Sequence, residues 1–265
     1  MQTETEVQGV EQPRPRFRVR KVSTDRPWMW LTAGWQDMMA HKPIALAYGG
    51  ALVLFSWLLA LLMFEFGLTW AILPAVAGFF IVAPLVAAGL YEVSRRREAG
   101  ESVTLHDAIW GFRRNGTQIA MMGALLVVIN LIWVRVAGLI FALFFGLNFS
   151  PSLAELPIRL LQSDNLIPFL IVGTGFGFLL ALATFASCAV SMPMLVDRNI
   201  SFLEAVTISI QAVAENPRPM MLWAGLIVVF TGLALLPFFL GLIIAMPLIG
   251  HATWHAYRDL VVEQQ

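Results

Sequence analysis

The chain has 265 residues, 58% hydrophobic and 13% charged, with 17 basic and 17 acidic side chains and a mean hydropathy of +0.76. Soluble domains carry about 25% charged residues, so this composition excludes an ordinary water-soluble domain. The single cysteine, Cys188, excludes an internal disulfide and a cysteine-built metal cluster; in its apolar run it reads as a small buried hydrophobe.

Residues 1–26 hold Pro, Gln, Glu and basic side chains from Arg14 to Arg26, with few apolar groups. Burial cannot offset the entropy of ordering such a segment, so a flexible basic tail is expected, with a membrane domain over 27–260. No apolar signal-peptide region begins near the start, so the first apolar run is expected to be its own insertion signal.

A hydrocarbon core about 30 Å thick needs helices of about 20 apolar residues. Stretches at 44–64, 70–93, 117–136 (extending toward 147), 166–194, 220–235 and 237–255 meet or approach that length. Helices satisfy their own backbone hydrogen bonds, as lipid demands. The expected fold is all-α, a polytopic membrane bundle of about six transmembrane helices in three hairpins, with short cytoplasmic interfacial helices. Lys42, Arg95, Arg96, Arg97, Arg113, Arg114, Arg198, Arg218 and Arg258 fall on one face of such a topology, and only Arg159, with Arg135 near the membrane edge, on the other. By the positive-inside rule both termini are cytoplasmic.

An internal repeat runs through the chain. Each unit is a short amphipathic helix followed by two spans. Leu31, Trp35, Met38 and Met39 form the first apolar stripe, Leu105, Ala108, Ile109 and Phe112 the second, and Phe202, Val206, Ile210 and Val213 the third. Ser201 and Glu204 have capping-box spacing, and Thr104 with Asp107 is a weaker version. The second span of each unit carries a proline, Pro84, Pro193 and Pro247, expected to kink it and to arrange three hairpins about a pseudo-threefold axis.

The segments Gly34-Trp35-Gln36-Asp37, Pro84 through Glu92 running into Ser94-Arg95-Arg96-Arg97-Glu98, Ser191-Met192-Pro193-Met194-Leu195 and Gly250-His251-Ala252-Thr253-Trp254-His255 carry a resemblance. Over roughly 28–260 the chain resembles the bacterial integral-membrane family catalogued as domain of unknown function 2189. The resemblance implies an inner-membrane protein of undetermined activity and supplies no catalytic residues.

Ionisable groups inside a membrane are costly and are functional candidates by default. Arg135 and Glu65 lie toward the outer edge, where an ion pair between hairpins and separate solvation are both open. Asn130, deeper, suits an interhelical hydrogen bond or a solute contact. His251 and His255, at i and i+4, share a helix face and could chelate one metal ion with further ligands from His41, His106, Glu92 or Asp107. One helix cannot offer both axial ligands of a haem, and interfacial anchoring is the competing role for the histidines. Arg95, Arg96 and Arg97 could bind anionic lipid headgroups or simply set topology. Trp28, Trp30, Trp35, Trp70, Trp110 and Trp254 suit an interfacial belt. Gly173 and Gly177 suit close helix packing. Walker A, HExxH, GxSxG and CxxC patterns are missing from the sequence.

No catalytic residue, cofactor or nucleic-acid partner is expected. The bilayer, and another membrane protein or complex, are the expected partners. A non-enzymatic scaffold, assembly or interaction protein is favoured. The alternative is a transporter or channel for a small or amphipathic solute, whose mark would be a water-filled cavity lined by Asn130, Thr174, Ser187 and Ser191. A lipid-active or metal enzyme using the histidines is a third class.

Overall fold

The computed structural model describes residues 17–68, 72–146 and 155–263. In chain order these form β1 (Phe17–Val19), α1 (Arg26–Ala40), α2 (Lys42–Glu65), α3 (Ile72–Val86), α4 (Ala88–Glu98), α5 (Leu105–Trp110), a 3-10 turn (Gly111–Asn115) and α6 (Gly116–Phe145). Then follow α7 (Leu156–Leu161), α8 (Leu166–Cys188), α9 (Ser191–Asp197), α10 (Phe202–Glu215), α11 (Pro217–Leu235), α12 (Leu242–Leu260) and β2 (Val261–Glu263). Among the described residues, five segments are long and apolar enough to cross a membrane: Lys42–Glu65, Gly78–Glu98, Leu105–Phe145, Leu166–Asp197 and Pro217–Leu235. The sixth expected span, 237–255, falls on α12, which is not one of them. Its second half carries His251, His255, Arg258 and Asp259 and is buried among other helices rather than presented to lipid.

Three units repeat the order expected from the sequence: α1, α2 and α3–α4; α5, α6 and α8–α9; α10, α11 and α12. The ends of the three second spans, α4, α9 and α12, pack on one another and form the most buried part of the molecule, here the base. The amphipathic helices close the ring by packing on the preceding unit. α5 lies on α4, α10 lies on α9 and α8, and α1 lies on α12.

The junction residues keep the same symmetry. His41, Asn115 and Asn216 each precede a first span with φ between −124 and −136° and ψ between 43 and 53°. Asn115 Nδ2 donates to the carbonyls of Arg198 (3.2 Å) and Ile200 (3.0 Å), on the linker into the third unit. Asn216 does the same for the segment leading into the first unit, donating to Arg20 O (3.1 Å) and accepting from Val22 N–H (2.8 Å). Part of the expected tail is therefore ordered. β1 pairs antiparallel with β2, Val19 opposite Val261, and stands where the covalent linkers stand between the other units. Residues 1–16 and Trp70 lie outside the described residues.

The prolines act unequally. The ring of Pro193 cannot tolerate the helical carbonyl four residues earlier, and the chain breaks at Ala189 and Val190. The freed Val190 N–H is met by Ser209 Oγ of α10 at 3.1 Å. Pro84 lies inside α3, and the break follows it at Ala87. Pro247 sits inside an unbroken α12. The capping strengths also reverse: Thr104 and Asp107 form the reciprocal box, whereas Ser201 only accepts from Glu204 N–H.

Above the base, contacts sort the spans into two leaves. One leaf is α3, α6 and α8; the other is α2, α12 and α11. Among the described residues, α8 with α11 and α2 with α3 make no contact of comparable extent. Within the second leaf, Gly34 and Gly49 let α1 and α2 touch α12 closely. A Cβ on Gly34 would lie 2.6 Å from Ala252 N, and one on Gly49 2.6 Å from Ile243 O. Gly173, by contrast, faces open space, so the Gly173–Gly177 pair is not a two-point packing seam; only Gly177 meets a neighbour, the Trp133 ring at 3.5 Å.

Overpacking of a tight contact costs roughly 1–3 kcal/mol. Gly34→Val is expected to lower the melting temperature in detergent, while Gly173→Ala leaves it unchanged or raises it. Melting curves of the two variants, followed by circular dichroism, check the contrast.

Candidate functional site

Two places concentrate chemistry: a polar node in the base and a cavity between the leaves. The node begins with Asp37, an acid on the otherwise apolar buried face of α1 with Trp30, Gly34 and Met38. Its carboxylate accepts from Ser94 Oγ of α4 (2.5 Å) and from His255 Nε2 of α12 (3.0 Å), and pairs with Arg97. Ser94 Oγ also lies 2.8 Å from His251 Nδ1. The hydroxyl has one proton, which goes to the carboxylate, so His251 donates through Nδ1 and leaves Nε2 unprotonated. That Nε2 is buried and has no hydrogen-bond partner among the described residues.

This order of groups is not that of a nucleophilic triad. There the imidazole stands between hydroxyl and carboxylate and takes the hydroxyl proton. Here the hydroxyl stands in the middle and its proton is committed to Asp37. The histidine pair does not converge as a chelate either. His255 turns to Asp37 and His251 to Ser94. Among the described residues, no group of three or more His, Cys, Asp and Glu side chains is placed to hold one metal ion.

Burial alone would raise the Asp37 carboxyl, but hydrogen bonds from His255 and Ser94 hold it below the ordinary carboxylate range. Other carboxylates of the base are met in the same way. Asp259 accepts from Arg26 Nε (2.5 Å) and Trp30 Nε1 (2.9 Å) and pairs with Arg20. Glu98 accepts from Trp254 Nε1 (3.0 Å) and Arg258 Nε (3.0 Å). Asp197 accepts from the Tyr257 hydroxyl (2.7 Å), which burial and then the Asp197 charge push well above its ordinary pKa, so that it stays a donor.

The arginine triplet is consumed here. Arg95 forks onto Glu92 (2.7 and 2.8 Å), Arg96 bridges Glu92 (2.8 Å) and Asp107 (3.0 Å), and Arg97 pairs with Asp37. Spacings of three and four residues inside α4 aim Arg95 and Arg96 at Glu92 rather than at a headgroup. Sequence reasoning placed Asp37 within a motif but gave it no role. Its signal was an acid at helical spacing among residues that must be buried.

The cavity lies between the leaves and has a volume of about 1890 Å³. Phe79, Trp133 and Phe169 line it from one leaf, and Trp223, Val228 and Met246 from the other. Of the polar residues expected to line a transport path, Thr174 does. Asn130 instead packs against Gly78 in the α3–α6 contact, its Oδ1 buried and unpartnered. Ser187 and Ser191 turn back onto the carbonyls of Ala183 and Ser187. Arg135 lines the cavity and is the only charged residue among the described residues that do. Glu65 is exposed at the end of α2, and no ion pair joins it to Arg135.

Residues 72–197 match the family model described as "Predicted integral membrane protein (DUF2189)". No curated protein and no solved structure matches the chain. With its long apolar helices, the chain is an integral, multi-pass membrane protein.

A carboxylate held below its unfolded pKa stabilises the fold above that unfolded value, and the contribution fades as pH falls through the folded one. Melting temperature is therefore expected to drop on acidification below about pH 4. Asp37→Asn is expected to cost about 1–3 kcal/mol at pH 7 and to show a shallower acid slope. Thermal melts between pH 7 and 3 check this; equal slopes would remove Asp37 as a contributor.

Proposed function

We propose that this protein is a non-enzymatic protein of the bacterial inner membrane that holds an amphipathic, lipid-class molecule between its two leaves. The observation that carries this reading is the cavity. It is larger than the roughly 300–1,000 Å³ of an ordinary ligand pocket, and apolar side chains dominate its lining. Water has little to bind there, whereas acyl chains gain contact with both leaves.

The open sides favour exchange with the bilayer rather than passage across it. Among the described residues, α8 makes no extended contact with α11, nor α2 with α3. Toward the base, Tyr91 and Cys188 line the cavity and are buried. The base carries Arg18, Lys21, Lys42, Arg113, Arg114 and Arg218 near the ordered chain ends. That excess of basic groups supports a cytoplasmic base with both termini inside. Exposed Trp28, Trp35, Leu105, Ile109, Phe112 and Ile210 on the amphipathic helices suit its inner headgroup layer.

A scaffold role survives in one form, with the apolar helix of a membrane partner occupying the same cleft. The two occupants are separable. Gly173 lines the cavity, and a Cβ there meets nothing within 4 Å, so a large side chain can enter without displacing backbone. Gly173→Phe is expected to cut co-purifying lipid several-fold with an unchanged melting temperature. Lipid extraction and mass spectrometry of the purified protein read this directly. Unchanged lipid together with loss of a stoichiometric protein partner would replace the lipid reading by the scaffold one.

A further inference from the structure

We infer that the molecule in this cavity is anionic, with a carboxylate or phosphate head held by Arg135; the inference rests on the lipid-binding reading above. Arg135 stands in α6, which begins at Gly116, about 28 Å along the helix at 1.5 Å per residue. That is near the far edge of a hydrocarbon core about 30 Å thick, and the side chain is exposed; a guanidinium does not deprotonate in a protein, so it is a permanent cation on the cavity lining. Among the described residues no carboxylate pairs with it. Among the described residues, the cavity lining holds no other charge of either sign.

The contrast with the base is chemical. There the arginines of α4 are matched to Glu92, Asp37 or Asp107. Arg135 alone among the lining residues brings an unmatched cation to an apolar space, and a guanidinium fork fits two oxygens of one carboxylate or phosphate. Trp133, two residues before it, lines the same cavity, and its indole N–H is without an acceptor. A cation at one place and apolar walls elsewhere describe an anionic head with attached chains. A fatty-acid carboxylate and the phosphate of an acidic phospholipid share this chemistry.

The full-length chain in mild nonionic detergent is mixed with equimolar phosphatidylcholine and phosphatidylglycerol, and separately with oleate and oleyl alcohol. Bound lipid is read by native mass spectrometry. The wild type is expected to retain the anionic member over the neutral one by about tenfold, from the charge-assisted fork. Arg135→Gln is expected to bind as much total lipid with no preference, and Arg135→Lys to keep part of the preference. Preference confined to oleate identifies a single-chain acid, and preference confined to phosphatidylglycerol an acidic phospholipid; either supports the inference. A wild type without preference, or an Arg135→Gln variant that keeps it, overturns the anionic head and leaves the cavity reading standing. If Gly173→Phe binds lipid as the wild type does, the cavity reading itself fails.

Discussion

A carboxylate placed inside packed helices must be met by donors on every open side, and the base of this molecule is organised around that demand. Asp37, Glu92 and Asp259 are buried, and each is met from more than one residue. Asp37 ties α1 to α4 and α12 through Ser94, Arg97 and His255. Asp259 ties α12 to α1 and to the segment before it through Arg26, Trp30 and Arg20. Such pairs add little net stability against an apolar core of the same shape. What they fix is register, because a slide of one turn along α12 would take Asp259 from its donors on α1 and His255 from Asp37. The tight crossings at Gly34 and Gly49 are possible only in that register.

From the base follows the cyclic order of the units. Two of the three linkers are covalent. The third is the pairing of β1 with β2, reinforced by the hydrogen bond from Arg20 N–H to Leu260 O (2.8 Å) and by Asn216. Asn115 and Asn216 hold equivalent linkers, while His41, their counterpart, keeps Nδ1 buried and unpartnered. The three junctions thus share backbone angles and differ in side-chain contact.

The membrane-facing half departs from the threefold pattern. α2 packs on α12 and α6 on α3, but the corresponding contact of α11 with α8 is missing among the described residues. Two open junctions, α8 with α11 and α2 with α3, separate the two leaves and leave the space between them. The base is held by matched charges and close glycine contacts. The leaves are joined by apolar contacts that lipid can replace, because lipid tails are as apolar as the side chains.

The sequence by itself determined the class of the protein. Charge depletion and apolar runs are local properties, and lipid leaves a backbone little choice but helix, so spans, repeat and proline positions were readable without a structure. So were the amphipathic helices, although Trp35 faces outward and α10 buries Ala205, Ser209 and Ala212 instead of its larger apolar residues. The partners of the charges were not readable. From the sequence, Arg95, Arg96 and Arg97 could bind headgroups or set topology, and His251 and His255 could chelate a metal or anchor at the interface, because spacing along one helix says nothing of what another helix brings opposite. Asp37 meets Ser94 across 57 positions and His255 across 218. Only the tertiary structure decided those meetings, the burial of α12 in place of a sixth lipid-facing span, and the gap between α8 and α11. Each depends on how helices distant in the chain pack, and packing is a property of surfaces in contact that no single segment contains.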